Sequence, residues 1–276
     1  WKETNAISQN DPNDRAYRFD RREIRKVEAV FSHDRFGIIS IGQGAMAADG
    51  FTGLDLSLTT VVAGTPVQDA AGGMLLRRVD GLDSTLRVNQ AFRSMGSSRR
   101  LRVRYDSPTL NGMRFAVAAG REVLSFSNDR RYADVSARYD GDHGDFRLRG
   151  GGAYRMIERA DDVFIASGSV LHRPSGWNLT LASGRETSGG RYAYAKVGFI
   201  GRWFDAGQTA ISLDVYDGSN LAGANGESLS YGVAVVQKVR NPKMDFYALL
   251  RRYDYDSTAV QYHAGTAFLA GARWRF

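Results

Sequence analysis

From residue 99 to the C-terminus, apolar and polar side chains alternate with a period of two. The rhythm is broken at regular intervals by Gly, Pro, Asn or Asp. Period-two alternation is the mark of a β-strand with one apolar and one polar face. The breaks divide the chain into hairpins: 99–108 with 113–120, 131–139 with 145–154, 162–172 with 177–184, 191–200 with 209–216, and 228–239 with 244–253. A last strand covers 262–276, and two earlier strands, 18–32 and 38–46, precede the series, which makes about thirteen strands. One parity carries Leu101, Val103 and Tyr105, then Phe115 and Val117, Leu179 and Leu181, and Ile211, Leu213 and Val215. The opposite parity carries Arg100, Arg102, Arg104, Asp134, Arg138, Arg147, Arg149, Asp214, Asp245 and Arg251.

Between the first pair of strands and the series lies 47–98, rich in Gly, Asp, Ser and Thr, with short apolar pieces. A connection of this length is far outside the usual range and points to a functional loop. A soluble sandwich would also show period-two strands. Its outer faces, however, seldom repeat Arg so regularly, and its strands are not joined by a strict succession of short turns and longer loops. An up-and-down transmembrane barrel predicts both features. The last strand agrees: Phe268, Ala270, Ala272, Trp274 and Phe276 share one side, with aromatics where a barrel wall meets the lipid–water interface. The expectation is an all-β, antiparallel barrel, a single domain over 1–276 that contains the long loop at 47–98. Trp274 and Phe276 are its membrane-interface and assembly residues.

Composition narrows this further. No run of the 276 residues is long and apolar enough for a membrane-crossing helix, and the mean hydropathy of −0.36 does not argue against a barrel, whose inward half dilutes its apolar half. Without cysteine there is no disulfide framework or thiolate metal site. The formal charge of +7 rests on arginines spread over alternating strand positions rather than clustered on one face, which argues against nucleic-acid binding. The four histidines fall in or beside expected turns. His263 with Ser257 and Tyr262 lacks an orienting acid, and Asp161-Asp162 reads as a loop end, so neither a catalytic nor a metal site is expected. Gly150-Gly151-Gly152 lacks the Lys-Ser/Thr of a phosphate loop and marks a bend of the wall or the close packing of another chain. No cofactor is expected. Trp1 at the start reads as a mature or N-terminally trimmed chain.

The segment 100–120, RLRVRYDSPTLNGMRFAVAAG, resembles a hairpin of general bacterial outer-membrane porins. Arg35-Phe36-Gly37 through Ser40, Gly42 and Gln43 resembles a second pattern of that family, and the terminal Phe276 a third, so the resemblance spans nearly the whole chain. It implies a homotrimer of barrels of about 16 strands, in outer-membrane lipid. The third loop would fold inward at 47–98, and small hydrophilic solutes and ions would diffuse through passively, without catalysis. The countable strands begin at the family's third. Either N-terminal strands are missing from this chain, or fewer strands close the barrel, about fourteen. Gly42-Gln43-Gly44 departs from the family, in which Arg commonly follows the first Gly.

The candidate pore wall is the ladder Arg100, Arg102 and Arg104, extended by Arg22, Lys26, Arg147 and Arg149. Asp49, Asp55 and Asp69 of the loop, with Asp80 and Asp83, are expected opposite it, anchoring the loop and setting a transverse field. The Arg excess keeps an anion-preferring, substrate-selective channel as the alternative. A barrel enzyme and a secretion translocator are the rivals from other classes.

Overall fold

The computed structural model describes residues 24–125 and 128–275. They form one antiparallel sheet of thirteen strands in which every strand pairs with its sequence neighbours. The strands are β1 (Val27–His33), β2 (Gly37–Ala45), β3 (Arg99–Asp106), β4 (Met113–Arg121), β5 (Arg131–His143), β6 (Phe146–Ile157) and β7 (Val163–His172). They continue with β8 (Trp177–Glu186), β9 (Arg191–Phe204), β10 (Gly207–Ser219), β11 (Gly226–Val239), β12 (Met244–Ser257) and β13 (Gly265–Trp274). The expected alternation thus becomes thirteen strands. Two boundaries differ from expectation. The charged strand expected over 18–32 begins, among the described residues, only at Val27. The turn expected over 201–207 is shorter, because β9 stays paired with β10 through Phe204. Arg22 and Phe276 lie outside the described residues.

Exposure along the strands is the reverse of a soluble protein's. Leu101, Val103, Val117, Leu179, Leu213, Val233, Leu250 and Phe268 are exposed, while Lys196, Asp214, Asp245 and Arg251 are buried. Charged residues are almost never fully buried in water-soluble proteins, and a continuous apolar outer face there would be an aggregation liability. Lipid is the solvent that suits this face. The connections alternate as well. The connections after β1, β3, β5, β7, β9 and β11 lie at one rim and are short on the whole; those at the other rim are longer on the whole, 46–98 the most so, although the β8–β9 connection is itself a short turn.

The segment 46–98 leaves the long-loop rim and packs on the inner face. Its helical content is limited to single turns at Phe51–Gly53, Val67–Ala70 and Val88–Ala91. Phe51, Leu54, Val67, Val88, Phe92 and Met95 join wall residues Ile165, Tyr192, Tyr216 and Tyr253 in the main buried cluster. An irregular segment carries many backbone groups without ladder partners, and these must be satisfied where water is excluded. The wall supplies the donors. The hydroxyls of Tyr216, Tyr253 and Ser228 donate to the carbonyls of Arg93 (2.7 Å), Val67 (2.6 Å) and Ala91 (2.7 Å). The inner face is rich in Tyr and Ser because it is a hydrogen-bonding bed for this segment. The glycine run makes room for this chain's own segment rather than for another chain: a Cβ on Gly151 would stand 2.8 Å from the Phe51 ring.

Candidate functional site

Two charge networks are built into the inner face. The first contains the arginine ladder. All three arginines lie on the inner parity, as expected, but each is largely buried and paired with a carboxylate. Arg100 reaches Glu122 at 3.1 Å and covers the Tyr132 ring at 4.1 Å. Arg104 grips Asp106 with two hydrogen bonds of 2.7 Å. Arg102 crosses β2 to Glu28 on β1, which also takes Lys26 at 2.7 Å. Gly42 lies level with both Glu28 and Arg102, and a Cβ on the next inner residue, Gly44, would collide with Glu28 and Arg102. The absent side chains on β2 are what let a guanidinium span two strand spacings. The glycines that flank Gln43 thus have a physical role.

The expectation that loop acids face this ladder is corrected here. Its carboxylates come from the sheet, Glu28, Asp106, and Glu122 just past β4. The segment offers it no carboxylate: the Ser98 hydroxyl accepts from Arg100 at 2.5 Å and the Met46 carbonyl from Arg104 at 2.8 Å, while the carbonyl of Ala45, at the end of β2, accepts from Arg102 at 3.1 Å. Parity assigns a face, but partner choice depends on register and reach, and the strand acids are nearer.

The second network binds the loop to the wall. Asp55 meets Lys196 of β9 at 2.6 Å, both side chains buried. The ammonium also donates to the Ala63 carbonyl at 2.7 Å and lies 3.3 Å from the Thr59 hydroxyl, which is 2.9 Å from that of Ser212. Directly across from Lys196 stands Asp214 of β10, and level with Asp214 come Gly232 of β11 and then Arg251 of β12. Arg251 places one nitrogen 2.7 Å from both oxygens of Asp214. It crosses β11 through the gap at Gly232, where a Cβ would lie 2.6 Å from the guanidinium. The acid–glycine–arginine arrangement of the first network is repeated. Sequence reasoning missed Lys196. Its signal was available as a cation in mid-strand, on the parity that carries Tyr192, Tyr194 and Gly198.

The remaining candidates divide. Asp49 does not meet the ladder with its carboxylate; its carbonyl accepts from Arg138, whose guanidinium lies 4.2 Å over the Phe51 ring. Asp69 faces open space, yet the surrounding protein strips part of its hydration and raises its carboxyl pKa. Asp80 pairs with Arg78 inside the segment, and that hydrogen bond lowers its pKa. Arg147 and Arg149 form no part of the ladder. They sit near the short-turn rim and share Asp140, with Arg147 also 3.2 Å from Asp142. Among the described residues, the inner-face arginines Arg114, Arg138, Arg155 and Arg202 have no carboxylate in ion-pair range. Arg114 and Arg138 stand directly opposite each other on β4 and β5. Towards the short-turn rim, Asp55, Arg149, Arg173, Arg202 and Gln208 line a cavity of about 760 Å³. On the outer face of that rim, Phe115, Phe146, Trp177, Trp203, Phe246 and Trp274 are all exposed.

Comparisons with known proteins agree with this geometry. A family model described as Gram-negative porin matches residues 3–258. No curated protein sequence matches significantly. Among solved structures, the fold is similar to an anion-selective porin from Comamonas acidovorans, with a TM-score of 0.56, 13% identity, and coverage of 91% of this chain and 78% of that one. It is also similar to OccK7 (OpdD) of Pseudomonas aeruginosa, with a TM-score of 0.52, 9% identity, and coverage of 89% and 67% respectively. At these identities the likeness establishes the fold.

Proposed function

This chain belongs to the Gram-negative porin family, and on that premise we propose how its outer-membrane channel is built. The sheet is closed into a barrel, since open strand edges do not occur in the hydrocarbon region. The segment 46–98 is the constriction. Small hydrophilic solutes and ions pass between its free surface and the inner wall, and the barrels associate as a homotrimer. The reading rests chiefly on one observation: the long segment is fixed on the inner face by the buried Asp55–Lys196 pair. A loop so anchored occupies cross-section without chemistry. The Ser–His contact that a barrel enzyme would use occurs, among the described residues, only at His172 and Ser175 in an exposed turn. Trp274 and its aromatic neighbours mark the interface at the short-turn rim.

A second reading concerns selectivity. The ladder is compensated by its own carboxylates and adds little net field. The uncompensated cations are Arg114, Arg138 and Arg155, joined at the short-turn vestibule by Arg202, while Arg149 and Arg173 there pair with Asp140 and Asp142. Rings of cationic side chains favour anions, so the channel prefers small anionic solutes. Planar-bilayer recording of the purified protein tests both readings. Ohmic conductance steps are expected, with a reversal potential in a salt gradient of the sign for anion preference. Replacing Arg114 and Arg138 with Gln should reduce that preference without loss of the steps. Absence of conductance would overturn the channel reading, and a cation-sign potential in the wild type would overturn the anion reading alone.

A further inference from the structure

The end of the inward segment, Ser94 to Ser98, forms a strap between two fixed points. At one end Arg93 is pinned to the wall by the Tyr216 hydroxyl, which accepts from its N–H at 3.1 Å and donates to its carbonyl at 2.7 Å. At the other end Arg99 opens β3. Between them the strap hangs on two inner-face residues that stand directly opposite each other, Asp134 of β5 and Arg155 of β6. One oxygen of Asp134 accepts from the Ser97 hydroxyl at 3.1 Å and from the Ala48 N–H at 3.0 Å. A single carboxylate thus holds the two ends of the long segment together. Arg155 donates to the Gly96 carbonyl at 2.9 Å.

This arrangement carries three local conflicts. Asp134 is 1% exposed, yet no donor among the described residues reaches its other oxygen. Nε of Arg155 is likewise buried without an acceptor. A buried polar atom without a partner is destabilising, the more so on a charged group. Met95, inside the strap, has a φ of 57°, a left-handed conformation that is strained for a non-glycine residue. The nearest other charges are already committed, Arg100 to Glu122 and Glu186 to Arg93. Asp134 and Arg155 are therefore each other's available counter-charge. Directly opposed residues have Cα atoms about 4.5–5.5 Å apart, within reach of a guanidinium that forks onto a carboxylate.

We propose that Asp134 and Arg155 are a two-position switch for the strap. In the first position, the one in the structure, both residues hold the strap to the wall. In the second, Arg155 turns from the Gly96 carbonyl to the free oxygen of Asp134, the strap lifts, and Met95 relaxes to ordinary backbone. One move resolves all three conflicts, and the strap's own hydrogen bonds oppose it. Two packings so balanced are what a conformational switch requires. That the strap borders the solute path rests on the channel reading; the rearrangement itself does not.

The test is thiol labelling of the whole protein in a neutral detergent. Ser94 is buried and the chain has no cysteine, so in a Ser94→Cys protein a bulky maleimide reacts only when the strap lifts. Slow labelling is expected. Asp134→Asn added to it keeps an acceptor for Ser97 and Ala48 but removes the ion pair of the lifted state. Labelling should then fall about tenfold, the effect of one charge-assisted hydrogen bond. Arg155→Gln should do the same, and both changes together should do no more than either alone, since the two residues act as one unit. Arg155→Lys, which keeps the charge, should label at the parent rate. If these residues were only fasteners, removing them would free the strap and speed the labelling. Faster or unchanged labelling in Asp134→Asn and Arg155→Gln would overturn the proposal, as would a Ser94→Cys thiol that reacts only on unfolding. In planar bilayers, brief partial reductions of current are expected in wild type and should be rarer in Asp134→Asn; equal frequency would overturn the strap's effect on the current. Lost conductance with this labelling pattern intact would count against the channel reading alone.

Discussion

Lys196 and Asp55 are each buried, and neither has a second full counter-charge of its own. Removing one partner of such a pair leaves a buried charge, which typically costs about 3–5 kcal/mol. Lys196→Met should therefore destabilise the protein by an amount in that range, and Asp55→Asn added to it should restore much of the loss. Denaturant titration of both variants checks this, and a single variant as stable as wild type would contradict it. Gly232 makes a related prediction. A valine there occupies the path of Arg251 to Asp214, so Gly232→Val should be destabilising, whereas valine at the neighbouring outer position 233 is native. Asp69 predicts a pH dependence. Desolvation places its folded pKa above the unfolded value, so folding favours its protonated form, and stability is lost as pH rises from the unfolded value, about 3.9, through the folded one. Asp69→Asn should thus be slightly more stable than wild type at neutral pH, and the advantage should vanish below pH about 3.9. An advantage that grows on acidification would contradict the assigned direction.

At the scale of elements, the strands and the unusual length of the connection were legible because each depends on a local property, whereas the inward fold of that connection was implied only by the family resemblance. Alternation of Leu101, Val103 and Tyr105 with Arg100, Arg102 and Arg104 assigns faces without knowledge of neighbours. The glycine run at 150–152 was legible as a place of bending or close packing, but the packing partner expected was another chain, and Phe51 of this chain is what approaches. The partners were not legible. That Arg102 belongs to Glu28, or that Asp55 belongs to Lys196, depends on strand register and on empty glycine positions between them, neither of which a single strand declares. Phe51 is the apolar counterpart of the Asp55 anchor, fully buried between Gly151 and the Arg138 guanidinium. Phe51→Ala should cost about 3–5 kcal/mol, realised locally as release of the segment. Limited proteolysis should then cut between residues 46 and 98 faster than in wild type while the strands stay protected. Unchanged cleavage would mean that the segment is held without this anchor.

Across the whole molecule, the two faces of the sheet have opposite solvents, lipid outside and the solute path inside. The chain has no cysteine, so single cysteines can report on each face without background. Arg114 and Phe115 are neighbours on β4, both exposed, and of opposite parity. The most direct measurement is single-channel current through Arg114→Cys and Phe115→Cys proteins while a charged, membrane-impermeant thiol reagent is added. Modification at position 114 should reduce the current in discrete steps, and the reagent should leave the current through the position 115 protein unchanged. A current insensitive at 114 but blocked at 115 would place the ion path on the wrong face and contradict the account.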